Sequence, residues 1–117
     1  MPQRPRVYIS GPITQGDRNH NFHQAADAQR RLMLEGFAPL NPMGTMILPF
    51  AWQPEVPHGL WLEVDFAWIE VSNAVLRLPG YSVGADAELT YAEGLGIPIF
   101  HDIESLIRWR KDGLLAA

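Results

Sequence analysis

The chain has 117 residues, 47% of them apolar and 19% charged, with a formal net charge of −4 and no cysteine. Those values describe one globular domain, residues 1–117, and exclude a disordered chain, a disulfide framework and a thiolate metal site. They also exclude the basic tract that draws a nucleic-acid polymer, and no run approaches the ~20 apolar residues of a membrane-spanning helix. The segment Met1 to Arg6 leads straight into a strand with no apolar leader, so the expected location is the cytoplasm. A domain this small has little room to enclose a site by itself, which points to a homodimer or higher homo-oligomer.

Val7-Tyr8-Ile9 is a short β-rich run stopped by Ser10-Gly11-Pro12. The polar stretch from Ile13 reads as a loop up to Asn21, the expected N-cap of a helix. Phe22, Ala25, Ala26, Leu32 and Met33 share one face of that helix, and Gly36 ends it. Phe37 to Leu40 reads as a second strand, and Pro39 suits a sheet edge. Residues 42–58 hold four prolines (42, 49, 54 and 57) with Phe50 and Trp52. A loop of that length is a candidate lid, expected to move or order on ligand binding. A helix over Leu60–Ser72, a strand over Asn73–Leu78, a loop at 79–83 and a helix over about 84–95 follow. Gly96 caps that helix, Ile97–Phe100 is a fourth strand, and Asp102 starts a last helix to about Lys111. The apolar tail Gly113–Ala117 suits docking on the core or on a second subunit. Alternation of this kind implies a parallel sheet with helices on both faces.

Glu88 carries the strongest chemical signal. It lies in the first turns of a helix that follows a strand, where open α/β sheets bind ligands. Its helical neighbours are Gly84, Ala85, Tyr91 and Ala92, an apolar or aromatic setting. Asp65 is the second candidate. Its neighbours at helical spacing are Trp61, Leu62, Trp68 and Ile69, so an acid interrupts an apolar stripe and faces the core or a pocket. The alternative for both is structural: a satisfied aspartate, and an acid placed well at a positive helix end. Ser82 and Gly84 sit in the loop before the helix of Glu88 and offer an anion cradle or a simple cap. Tyr8 and Ser10 stand at the C-terminal end of the first strand, the edge where ligands sit. Trp52 could cover a base, and the other tryptophans (61, 68 and 109) read as mostly core.

Other chemistries have little support. His20 and His23 are three apart without a third ligand, so no metal is expected. Gly94-Leu95-Gly96 lacks the rest of a dinucleotide fingerprint, and no cofactor is expected. Ser10 or Ser82 as nucleophile would need a basic histidine, and none is placed for it.

Taken together, Tyr8-Ile9-Ser10-Gly11-Pro12, Asn21-Phe22, Asn41-Pro42, Asp65, Leu78-Pro79-Gly80 and Ser82-x-Gly84-Ala85-x-x-Glu88 resemble the nucleoside 2-deoxyribosyltransferase-like superfamily. The nearest branch is the small phage and bacterial one designated DUF4406, and the resemblance spans Val7 to Phe100. It implies a flavodoxin-like or Rossmann-like open parallel sheet of about four to five strands. It implies Glu88 as the nucleophile toward C1′ of a sugar, Tyr8 as the residue that orients it, and Asp65 as the group that contacts base or sugar and protonates the leaving base. Ser82 and Gly84 match the loop that holds the 5′ end of the nucleotide. Ser10, Gly11, Pro12, Asn41, Trp52 and Ala85 join the expected substrate-binding set. Nucleotide N-glycosidases carry a serine and an arginine after the first glycine; here Pro12 and Thr14 stand there, and Arg18 is the substitute the same loop offers.

The expected activity is therefore N-glycosidic bond cleavage, or deoxyribosyl transfer, on a nucleoside or nucleoside 5′-monophosphate. Two carboxylates in different settings suit an oxocarbenium-like transition state. The alternative is a non-catalytic module that sequesters a nucleotide or an ADP-ribose-like ligand.

Overall fold

Short runs of β-branched and aromatic residues alternate with longer helical segments, and the chain folds accordingly. A computed structural model describes residues 2–44 and 56–116. The elements are β1 (Arg6–Ser10), α1 (Arg18–Leu34), β2 (Ala38–Leu40), α2 (His58–Glu70), β3 (Ala74–Arg77), α3 (Val83–Gly94), β4 (Ile99–Phe100) and α4 (Ile103–Ala116). The four strands form one parallel sheet in the order β2-β1-β3-β4. Tyr8 on β1 is flanked by Leu40 on one side and Val75 on the other. The central strands read as unbroken apolar runs because both of their faces are covered.

One face carries Val7, Ile9, Ala74 and Leu76 against Ala25, Ala28 and Leu32 of α1 and Ile103 and Leu106 of α4. The other carries Tyr8 and Val75 against Ile69 and Phe66 of α2 and Leu89 and Ala92 of α3. Helices thus lie on both faces. The chain leaves β1 for β2 on one side and later returns to β3 on the other. That reversal opens a crevice above the C-terminal ends of β1 and β3. Pro39 sits on the edge strand, where its missing N–H costs least. Among the described residues no helix is long and apolar enough to cross a membrane.

Three sequence expectations change. The N-cap of α1 is Asp17, whose carboxylate accepts from the His20 N–H at 3.2 Å, and not Asn21. Polar Arg18, Asn19 and His20 form an exposed first turn that apolar spacing could not reveal. The last helix runs on through Ala116, because leucine and alanine favour continuation and one glycine costs only about 1 kcal/mol. Finally, Trp68 is 50% exposed and is not core. Leu60, Val64 and Val71 are exposed beside it in helical register, while Ile69 faces the sheet. The helix is apolar on several faces, so no single stripe marks the buried one. Trp109 packs on Phe100 with ring centroids 5.5 Å apart. Trp52 and most of the expected lid lie outside the described residues.

Candidate active site

Period-two alternation along β1 turns Tyr8 and Ser10 to the same face, toward α2 and α3. Glu88, in the second turn of α3, reaches back over them and is only 5% exposed. The Tyr8 hydroxyl donates to Glu88 Oε2, and the Ser10 hydroxyl donates to Glu88 Oε1 at 2.9 Å. Both carboxylate oxygens are therefore held, which offsets part of the cost of burying an acid.

Asp65 reaches the same place from α2. Helices α2 and α3 are clasped by a stack of Phe66 on Tyr91, with centroids 4.3 Å apart and rings 5° from parallel. The Tyr91 hydroxyl also donates to Glu70. These contacts lie one residue from Asp65 and three from Glu88, so the clasp sets the spacing of the acids. Both line a cleft of about 240 Å³ with Gly11, Trp61, Leu62, Ser82, Gly84 and Ala85. Ile13, Thr14, Gln15 and Val83 complete its wall.

Burial is the main influence on Glu88 and raises its carboxyl to about 7. The hydrogen bonds from Tyr8 and Ser10 pull it down, and the charge and hydrogen bonding of Asp65 push it up. Burial, then the charges of Glu88 and Asp65, raise the Tyr8 hydroxyl far above the usual phenol range. Tyr8 therefore stays a donor at any working pH.

The loop between β3 and α3 is held from below. Arg77 is 9% exposed, and its guanidinium donates to the carbonyls of Leu78 and Gly80 and pairs with Asp86 at 3.3 Å. Gly80 has φ +117°, and a Cβ there would stand 2.9 Å from Cγ of Pro12. Gly80→Ala is expected to cost about 1–3 kcal/mol in chemical denaturation, because backbone strain and contact act together. An unchanged midpoint would show that the turn relaxes freely. Ser82 caps α3, its hydroxyl accepting from the Ala85 N–H at 3.1 Å.

The cleft thus gathers Glu88, Asp65, Gly11, Ser82, Gly84 and Ala85, with Tyr8 and Ser10 beneath it. Pro12 is buried against Gly80 and lines a separate hollow with Tyr81. Asn41 donates to Gln29 at 3.1 Å and borders a small cavity on another side of Glu88. Arg18 is exposed at the start of α1 and is not among the residues that line the cleft. Six wall residues escaped the sequence reading in this role, Ile13, Thr14 and Val83 among them. Trp61 and Leu62 resembled core, and Gln15 carried no local signal. Among the described residues no group of three or more histidines, cysteines or acids could hold a metal ion.

Residues 5–101 match the family described as a domain of unknown function, DUF4406. No curated protein matches the chain by sequence. Among solved structures, the 2-deoxyribosyltransferase of the psychrotolerant bacterium Bacillus psychrosaccharolyticus superposes with a TM-score of 0.60 at 18% identity, over 80% of this chain and 69% of that one. A 2-deoxyribosyltransferase from Leishmania mexicana gives 0.59 at 18% identity, over 81% of this chain and 61% of that one. The chain therefore spans less than two thirds of the second enzyme's length. The chain belongs to the DUF4406 family, on the α/β fold that these 2-deoxyribosyltransferases also adopt.

Proposed function

We propose that the cleft breaks or exchanges the N-glycosidic bond of a nucleoside or nucleoside 5′-monophosphate. The observation that carries this reading is the meeting of Glu88 and Asp65 in one cleft, one buried on two hydroxyl donors and the other half-buried beside it. An oxygen of Glu88 attacks C1′ of the sugar while the bond from C1′ to the base nitrogen breaks. The electron pair leaves with the base, and Asp65 delivers the proton that neutralises it. The glycosyl ester on Glu88 is then taken by water, as a hydrolase, or by the nitrogen of a second base, as a transferase. Either acceptor gives up a proton to Asp65, and the carboxylate returns.

Burial, with the charge of Asp65 beside it, raises the Glu88 carboxyl to about 7, so the attacking carboxylate forms as pH rises through that value. Base release is therefore expected to gain its nucleophile on the alkaline side of neutrality. Tyr8 and Ser10 aim the attacking group as donors. Trp61 and Leu62 give the cleft a flat, apolar flank suited to a base.

The bands of exposed apolar residues on α2 support assembly into a homo-oligomer, and absence of cysteine is in keeping with a cytoplasmic setting. A second reading, a binder that sequesters an intact nucleotide or ADP-ribose-like ligand, draws on one feature. Both Glu88 oxygens already accept hydrogen bonds, which lowers their nucleophilicity.

Incubation with a panel of deoxynucleosides, ribonucleosides and their 5′-monophosphates, scored for free base by mass, separates the two. Free base, or a new nucleoside when a second base is added, is the expected result. A ligand retained intact after long incubation would replace the enzyme reading with the binder.

A further inference from the structure

We propose that Tyr91 is a positioning residue for Asp65 and not for Glu88, holding α2 at the roll and height from which Asp65 reaches the departing base. The proposal rests on the N-glycosidic reading and gives the two acids of the cleft separate supports.

Glu88 is held from the sheet. Tyr8 and Ser10 of β1 donate to its two oxygens, and its own helix is capped by Ser82. Asp65 has a different foundation. It rides on α2, whose N-cap is Pro57 and makes no side-chain capping bond. At the far end of that helix, Arg6 donates to the Val71 carbonyl at 3.0 Å. Ile69 is buried against the sheet, while Leu60, Val64 and Trp68 on the outer face are about half exposed. A helix tied at one end and seated along one seam is free to roll unless something stops it.

Tyr91 stops the roll at two points. Its ring stacks on Phe66, and its hydroxyl donates to Glu70. Phe66 and Glu70 are one helical turn apart, about 6 Å along the axis. The stack sets how far α2 stands from α3, and the hydroxyl bond sets how far it slides along it. Asp65 directly precedes Phe66 and turns with it. A side chain about 5–6 Å from the helix axis moves about 2 Å for a roll of about 20°. Misplacement on that scale costs a positioned group on the order of 10²-fold in rate. Glu88 keeps its place in such a roll, because its anchors lie on β1 and α3.

This division has a chemical signature. A displaced Asp65 fails to hand its proton to the departing base nitrogen, while the attack of Glu88 on C1′ is untouched. The defect therefore shrinks with a base that leaves as a stable anion.

The test measures kcat and KM of the full chain on a deoxynucleoside with a natural base and on the same sugar bearing a nitro-substituted base that departs unprotonated. Tyr91→Leu is expected to lower kcat about 100-fold on the first and less than about threefold on the second, with KM little changed. Tyr91→Phe keeps the stack and loses the hydroxyl bond, and Glu70→Ala loses the same bond from the other side. Each is expected to cost about tenfold on the natural base, with the double variant no worse than either. Glu70→Gln, which keeps an acceptor oxygen, should recover most of that rate. Equal losses on both bases, or none, would overturn the proposal and leave the reaction standing. If the wild type releases no base, the reaction reading falls, and carboxyl NMR still decides the positioning. The titratable groups that bear on Glu88 are Tyr8 from β1 and Asp65 from α2, and Asp65 raises it. Its midpoint is therefore expected to fall from about 7 in Tyr91→Leu, and by less in Tyr91→Phe, with the melting transition retained. An unchanged midpoint in either folded variant would overturn the positioning role whatever the reaction.

Discussion

Glu88→Ala is expected to lower base release from a deoxynucleoside by about 10³-fold or more, with the fold retained. Loss of an attacking group costs at least that much in enzymes whose machinery acts as a unit. The substitution leaves the Tyr8 and Ser10 hydroxyls without their acceptor, at about 1–3 kcal/mol for buried groups left unpaired. Glu88→Gln is the cleaner companion. It keeps the shape of the side chain and one acceptor oxygen, and replaces the other oxygen and the charge with an amide NH2. Equal losses of activity in both, with melting transitions intact, would assign the effect to chemistry and not to packing. Asp65→Asn should behave differently. Its defect should shrink with a substrate whose base departs without protonation, whereas the Glu88 defect should not. Wild-type rates in Glu88→Ala would end the assignment.

Stability should also depend on pH through the same carboxyl. Folded, Glu88 keeps its proton up to about 7; its ordinary value is 4.5. Between those values the native state binds more protons than the unfolded chain, so stability falls as pH rises. The contribution is fully present below about 4.5 and is gone once pH has passed through about 7. Glu88→Gln has no such proton to lose. Relative to that variant, the wild type should therefore lose on the order of 3 kcal/mol between pH 4.5 and pH 8. Urea unfolding of both proteins at the two pH values measures the difference directly. A gap that does not change with pH would mean that the folded carboxyl titrates as it does in the unfolded chain.

The parts of the site that sequence made legible are those built from local grammar. Ser10-Gly11 marks the end of a strand and Ser82 marks the start of a helix. Both lie at the sheet edge where a parallel topology leaves its crevice, so Tyr8, Ser10 and Glu88 could be placed together before any coordinates. What escaped depends on which of several apolar faces a helix turns inward. On α2, Trp61 and Leu62 face the cleft, Ile69 the sheet and Trp68 the exterior, although all four are apolar. Spacing alone does not rank such faces. Asn21 and Gln15 escaped for another reason. Each acts on a partner distant in the chain or through its backbone, and an asparagine before an apolar run reads first as a cap. The strand edges were legible only to within a residue or two, since hydrogen-bond partners and not composition decide where a ladder stops.

The clamp that Arg77 places on the turn after β3 bears on how the surface beside the cleft can change. The path of residues 78–80 is dictated by a guanidinium beneath it and by a glycine against a proline, not by the side chain at the tip. Tyr81, at that tip, is 73% exposed and lines the hollow beside Pro12, not the cleft of the two acids. Variation at position 81 can thereby remodel that neighbouring surface while the acids stay in register.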